Sequence, residues 1–210
     1  QTIRGHTVYP YSGSGTSTLS FTYTVQVGDT SADLDQQSAN ALSLNGGTIR
    51  DVAGNNVILT LAAPGTAGSL GAKKAIVSDA LPPPVTTFNP ADEATGVAAG
   101  SNITLTFNEA IARGTGSIVL KTAAGATVET YNAATSTNLS LSGSALTLNP
   151  SSDLIVGTAY RVELAEGSIQ DLAGNPFAGT TSYNFTTAQS ISFGPTDDFV
   201  VLQPTTAAIA

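Results

Sequence analysis

The sequence predicts an all-β protein built of tandem β-sandwiches. Three observations support this fold class: apolar residues alternate with Ser, Thr or charged residues in several stretches, turn residues separate those stretches, and no window combines a helical period with capping residues. A strand with one buried and one solvated face requires such alternation. Short strands separated by Gly, Asn, Asp and Pro favour sandwiches over one large barrel.

Six stretches show the two-residue period most clearly, and we expect a strand in each. They are STLSFTYTVQV (residues 17–27), SNITLTF (101–107), SIVLKT (117–122), NLSLSGSALTLNP (138–150), AYRVELA (159–165) and TSYNFTT (181–187). From Pro84 to about Ala188 the chain holds roughly seven strands, which is enough for one complete sandwich of ~100 residues.

Three consecutive prolines mark a domain boundary. Pro82, Pro83 and Pro84 lack an amide donor and favour extended backbone, so this segment is predicted to be a short stiff linker. The predicted organisation is a partial sandwich over residues 1–80, the linker over residues 81–87, a complete sandwich over residues 84–188 that begins within the linker, and a C-terminal tail over residues 189–210.

Composition excludes several classes of partner. The chain has 210 residues, of which 7 are Lys or Arg and 15 are Asp or Glu, giving a formal net charge of −8. This acidic balance argues against binding to nucleic acid or anionic lipid and suits calcium binding or solubility. No apolar run approaches the ~20 residues of a membrane span, so none is expected. The absence of Cys fits an exported bacterial protein, and equally any chain without disulfides.

A short motif, D-x-A-G-N, occurs at residues 51–55 and again at residues 171–175. Each copy places an Asx-type acceptor ahead of Gly and Asn, which tolerate positive φ, so each is predicted to form a turn before the last strand of a domain. The alternative is that Asp51 and Asp171 contribute carboxylates to a calcium ion at a domain junction. The first copy has far fewer residues before it, so the N-terminal unit is predicted to lack its opening strands.

Five motifs follow one another in the second half of the chain: P-x-D-x-A-x-x-V at residues 90–97, T-L-T-F-N-E at 104–109, L-x-x-G-T-x-Y-x-V at 154–162, D-x-A-G-N at 171–175 and F-T-T at 185–187. In this order they resemble the bacterial Ig-like domain of S-layer proteins and large surface proteins. Residues 1–80 are similar to an Ig-like repeat of giant adhesins that begins in the middle of the module. The resemblance implies a bacterial location at the cell surface or outside the cell.

The missing strands of the N-terminal unit have two explanations. The chain is a fragment of a tandem array, or another molecule supplies the strand, because an open sandwich exposes apolar surface and unpaired edge amides. The candidate donor is the tail, in which the anchors are Phe199, Val200, Val201 and Leu202. Donation into the next subunit, head to tail, would make a filament. The tail pairing within its own chain is a third possibility.

The stretch GDTSADLD (residues 28–35) is the best metal candidate in the sequence. It places Asp29, Asp33 and Asp35 in one short loop, and calcium prefers six to eight oxygen ligands. The spacing departs from the EF-hand pattern, and a solvated acidic loop is the alternative. Together with Asp51 and Asp171, these residues are the predicted calcium ligands, and calcium is the only cofactor considered.

The residues that could perform catalysis are scarce. His6 is the only histidine and the chain has no Cys and no Trp, which argues against a zinc site, a catalytic triad or an aromatic sugar cleft. We therefore predict a protein that is not an enzyme. It is expected to be a structural protein of the bacterial surface or matrix, an adhesin spacer or fibre subunit whose partners are copies of itself or neighbouring Ig-like modules. The alternative is a calcium-dependent module that binds a glycan or a host-surface receptor.

Overall fold

The computed structural model describes residues 2–3, 6–13 and 15–190. Within that part of the chain, one helix of four residues, α1 (Leu70–Lys73), accompanies seventeen strands, which confirms the all-β fold class. The strands are β1 (Thr2–Ile3), β2 (His6–Thr7), β3 (Pro10–Ser12), β4 (Ser20–Phe21), β5 (Thr30–Ser31), β6 (Ser78–Asp79), β7 (Val85–Asn89), β8 (Ala94–Val97), β9 (Ile103–Phe107), β10 (Ile111–Arg113), β11 (Ser117–Thr122), β12 (Thr127–Asn132), β13 (Leu139–Ser142), β14 (Ala145–Leu148), β15 (Ala159–Leu164), β16 (Ile169–Asp171) and β17 (Asn184–Thr187). None of the described helices is long and apolar enough to span a membrane.

Strands β7 to β17 form a complete two-sheet sandwich. One sheet has the order β13-β14-β9-β7 and the other the order β12-β11-β15-β17-β8. Neighbouring strands are antiparallel except β17 and β8, which run parallel. The chain crosses from one sheet to the other between its first two strands, since β7 belongs to one sheet and β8 to the other. Strands β10 and β16 form a separate antiparallel pair. These short segments account for a strand number above the roughly seven predicted from the length of the unit.

The core of the complete sandwich lies between its two large sheets. In β9, Ile103, Leu105 and Phe107 are buried and the two threonines between them are half-buried, as the alternation in the sequence predicts. At the start of β15, the Tyr160 hydroxyl accepts a hydrogen bond from the Ile155 amide at 2.8 Å. This contact fixes the loop that leads into the strand, as in sandwiches of the immunoglobulin type.

The N-terminal unit is much less regular. Among the described residues, its strands form two-stranded pairs, β1 with β2, β3 with β4, and β5 with β6. Its buried cluster consists of Val8 and Leu34, with three half-buried residues packed against them. The strand expected over residues 17–27 is confined to β4, because among the described residues only the short β3 pairs with it. Val27 in the remainder of that stretch is 92% exposed.

The chain enters and leaves the complete sandwich at opposite ends. At the entry pole, defined by Pro84 and Asp171, the Pro84 carbonyl accepts from the Asn108 amide at 3.1 Å. Strand β15 runs toward this pole and on to β16, and β17 is antiparallel to β15. Strand β17 therefore runs away from the N-terminal unit. At the exit pole, defined by Ala188, the Ala188 amide donates to the Val97 carbonyl at 2.7 Å.

Candidate functional site at the junction of the two units

The segment that joins the two units, residues 79–84, makes hydrogen bonds to each of them. The Ala80 carbonyl accepts from the Gly28 amide at 2.9 Å, which ties the segment to the N-terminal unit. The Asp79 carbonyl accepts from the Asn175 side-chain amide at 3.1 Å, which ties it to the D-x-A-G-N loop of the complete sandwich. Hydrogen bonds on both sides, together with the prolines, restrict the freedom of this segment.

Three carboxylates converge at this junction. Asp79 ends β6, Glu109 follows β9, and Asp171 ends β16. One oxygen from each lies within 4.8 Å of the others, and in the described part of the chain this is the only group of three acidic or metal-ligating side chains so close together. The cluster therefore joins a residue of the N-terminal unit to two residues of the complete sandwich.

The three carboxylates of the cluster bring negative charges close together. Burial raises the pKa of Glu109 above its ordinary value, and the charges of Asp79 and Asp171 raise it further. Asp171 is buried and accepts hydrogen bonds from Asn175, through the backbone amide at 2.8 Å and the side-chain amide at 2.7 Å. None of the ion pairs among the described residues involves these three carboxylates. A divalent cation would neutralise this charge and take oxygen ligands from it.

An open cleft of about 770 Å³ lies beside the cluster. Asp79 and Glu109 line it together with the apolar side chains of Val77, Leu81 and Pro82. Val77 is 72% exposed and Leu81 is 48% exposed, so this part of the junction presents apolar surface next to acidic groups.

The structure places the predicted ligand Asp29 in a network of protein donors. It accepts hydrogen bonds from the Tyr23 hydroxyl at 2.5 Å, the Gln26 amide at 2.7 Å and the His6 imidazole at 3.1 Å. The Tyr23 hydrogen bond is the largest of the effects that lower the pKa of Asp29, followed by the Gln26 amide. Asp29 therefore connects three segments of the N-terminal unit.

Asp33 and Asp35 face the same residue of the chain, since a Cβ built on Gly71 would lie 3.0 Å from the Oδ2 atoms of both. Asp35 accepts from the Gln36 amide at 2.8 Å and the Gly65 amide at 2.9 Å. Burial acts to raise its pKa, but hydrogen bonds, first from Gly65, outweigh it and lower the pKa to about 2. These carboxylates fix the loop that carries α1.

Asp51 and Asp171 occupy equivalent positions in two similar hairpins. In the first copy Asp51 Oδ1 accepts from the Asn55 amide at 2.8 Å, as Asp171 Oδ1 does from the Asn175 amide. Both motifs form the turn that their residues predict. Asp51 is exposed, whereas Asp171 is buried in the junction cluster.

Two residues of the cluster, Asp79 and Glu109, were missed by the sequence-based prediction. Glu109 closes the T-L-T-F-N-E motif and Asp79 lies three residues before Pro82, so each stood close to a recognised signal. Their approach to Asp171 depends on which strand ends share the entry pole. The predicted donor anchors, Phe199, Val200, Val201 and Leu202, lie outside the described residues.

The two packed sheets, with β7 in one and β8 in the other and with the Tyr160 contact at the start of β15, define a sandwich of the immunoglobulin class. The model of the family described as bacterial Ig-like domain matches residues 79–187, and the chain belongs to this family. No curated protein matches the chain. Among solved structures, CopC from Methylosinus trichosporium OB3b is similar, with 16% identity and a TM-score of 0.40, over 53% of this chain and 99% of that one.

Proposed function

We propose that this protein is a non-catalytic structural protein of the bacterial cell surface or extracellular matrix, an Ig-like spacer of an adhesin or a subunit of a fibre. The observation that carries the proposal is the bonded junction, in which the carbonyls of Asp79 and Ala80 accept hydrogen bonds from opposite units. A spacer must hold its modules at a fixed separation. Such a junction, with prolines beside it, favours a defined orientation over a flexible tether.

The orientation of the two units tests the spacer proposal. Residual dipolar couplings measured on the whole chain should give one common alignment tensor for residues 15–80 and residues 85–188. Asn175→Ala removes the side-chain amide that reaches Asp79 and should separate the two tensors. Asn55→Ala removes the equivalent side chain of the first hairpin, whose amide donates to Asp51, and is the matched control. Two different tensors in the unmodified chain would contradict the proposal.

The fibre form of the proposal uses the C-terminal tail as a donated strand. Its support is that the described strands of the N-terminal unit form only two-stranded pairs, together with the apolar run from Phe199 to Leu202 in the sequence. Negative-stain microscopy should show filaments for the full chain and monomers for a chain truncated after Ala188, at matched concentrations. Monomers from both chains would contradict the fibre form and leave the spacer form of the proposal.

Calcium at the junction is the second candidate function, as part of the structural role or of a module that binds a glycan or host-surface receptor. The observation that favours it is the convergence of Asp79 from the N-terminal unit with Glu109 and Asp171 from the complete sandwich. Of these three residues, only Asp171 was among the calcium ligands predicted from the sequence. Calcium prefers carboxylate oxygens and a flexible coordination number.

Calcium titration followed by thermal unfolding tests this candidate. Calcium should raise the unfolding temperature of the unmodified chain, and chelator should reverse the increase. Glu109→Gln removes one charged ligand and should reduce the response, whereas Asp51→Asn, in the exposed copy of the motif, should not. An equal response to magnesium, or none to calcium, would contradict the candidate. A receptor-binding module should also lose its ligand in chelator.

A further inference from the structure

Each D-x-A-G-N hairpin has an outer edge that can take another strand. The central residues of the first hairpin strands, Arg50 and Gln170, lie opposite Asn56 and Pro176. The hairpin hydrogen bonds fall on either side of them; in the first copy Asp51 donates to Asn55 and Val57 donates to Ile49. In an antiparallel pair, residues between two such bonds direct their own N–H and C=O away from the partner strand.

The complete sandwich fills this outer edge with β10. Ala112 lies opposite Gln170, and the pairs on either side are Ile111 with Asp171 and Arg113 with Ile169. Ile111 is thereby buried in the core. Strand β10 thus completes the hydrogen bonding of the hairpin and also contributes an apolar side chain to the interior.

The same edge in the N-terminal unit has no partner strand among the described residues. Residues 49–51 are bridged only to their own hairpin, and Val57, the counterpart of the buried Phe177, is 41% exposed. An edge with unpaired backbone groups next to exposed apolar side chains favours the addition of a strand.

We propose that the outer edge of residues 49–51, here called the acceptor edge, binds a strand from the C-terminal tail of a second copy of this chain. The inference rests on the fibre form of the proposed function and assigns the site that receives the tail. The donated strand lies where β10 lies in the complete sandwich, antiparallel to the acceptor edge. The N–H and C=O of Arg50 are its central hydrogen-bonding partners.

The position and composition of the tail favour a second copy as its source. Residues 191–210 follow the exit pole, which faces away from the N-terminal unit of the same chain. Twenty residues span at most ~70 Å when extended, and in a head-to-tail arrangement the exit pole of one copy lies next to the N-terminal unit of the following copy. Asp197 and Asp198 precede the apolar run of the tail, and the exposed side chain of Arg50 is complementary to them.

A pair of proline substitutions on the full chain tests the acceptor edge. Arg50→Pro removes the N–H that points outward and none of the hydrogen bonds that the hairpin makes internally. Asn56→Pro is the matched control, because it alters the opposite edge of the same hairpin at the position where the complete sandwich carries Pro176. Arg50→Pro should raise the concentration needed for half-maximal assembly by about tenfold, and Asn56→Pro should leave it unchanged, as measured by light scattering and sedimentation.

Disulfide capture identifies the strand that occupies the acceptor edge. The chain has no Cys of its own that could form a competing disulfide. A chain with Arg50→Cys mixed with a chain with Val200→Cys should give a disulfide-linked dimer, whereas Asn56→Cys in place of Arg50→Cys should not. Folding of every variant is checked by circular dichroism, so that loss of assembly is not confused with loss of structure.

The outcomes separate this inference from the function on which it rests. Filaments that form equally well with Arg50→Pro overturn the acceptor edge and leave the fibre proposal standing. A full chain that stays monomeric at all concentrations overturns both. A chain that carries both Arg50→Cys and Val200→Cys and forms only an intramolecular disulfide shows pairing within one copy and overturns the second copy as donor.

Discussion

The two D-x-A-G-N hairpins have the same local geometry and different surroundings. In the first hairpin the Val57 amide donates to the Ile49 carbonyl at 3.1 Å, and in the second the Phe177 amide donates to the Ile169 carbonyl at 2.8 Å. Ile169 is fully buried, whereas Ile49 is half-buried. The hairpin is therefore specified by its own turn residues, while its contribution to a core depends on the strands packed against it.

The largest difference between the two units should appear when the matched isoleucines are truncated. Ile169→Ala should lower the free energy of unfolding by about 2–5 kcal/mol, because a fully buried side chain leaves a cavity. Ile49→Ala should cost about 1 kcal/mol or less, since water already reaches that side chain. Urea unfolding followed by circular dichroism measures both. Similar losses would mean that the first hairpin is packed as tightly as the second.

The matched asparagines should differ by a smaller amount. Asn175 donates to the buried Asp171 and to the Asp79 carbonyl, whereas Asn55 donates to the exposed Asp51. Asn175→Ala should cost about 1–3 kcal/mol, because it leaves a buried carboxylate with one donor fewer. Asn55→Ala should change stability by about 0.5 kcal/mol or less. The same unfolding assay applies, and an equal effect would remove the distinction between the two loops.

Glu109 makes the stability of the complete sandwich depend on pH. Its pKa is raised in the folded protein, so the folded state binds more protons than the unfolded state just above the ordinary value of 4.5, and stability falls as pH rises through that range. Glu109→Gln should therefore raise the thermal midpoint at pH 7 in the absence of calcium. The gain should vanish well below pH 4.5, where Glu109 is protonated in both states. A lower midpoint at pH 7 would show that the carboxylate stabilises the junction by itself.

The smallest effect is expected in the loop of the N-terminal unit. The pKa of Asp35 is lowered to about 2 from 3.8, so its contribution is present above pH 3.8 and is lost as pH falls through about 2. Asp35→Asn should lower the stability of this unit at pH 7, and the two proteins should converge near pH 2. Amide exchange at Gly65, which donates to Asp35, reports the change locally. A constant difference at all pH values would contradict the assigned pKa.

Much of the fold was predictable because its signals are local. The alternation over residues 117–122 and 159–165 reappears as β11 and β15, and the turn chemistry of D-x-A-G-N gives the same hydrogen bonds twice. The strand predicted over residues 17–27 was too long, because alternation marks residues that can form a strand, whereas a strand also needs a neighbour with which to pair.

The candidate site was less predictable. Of the five carboxylates proposed as calcium ligands from sequence, Asp171 alone belongs to the junction cluster, and Asp29, Asp35 and Asp171 all accept hydrogen bonds from protein donors. A run of acidic residues in a sequence does not reveal whether protein donors already occupy the oxygens.

The sequence by itself determined the fold class and the turn geometry of both motifs, because each depends on backbone preferences and periodicity within a few residues. Only the tertiary structure decided that Asp79, Glu109 and Asp171 meet, and that one hairpin is paired and buried while its copy has no partner strand among the described residues. Those features depend on residues far apart in the chain, which are brought together when the sheets pack and the two units meet at the entry pole.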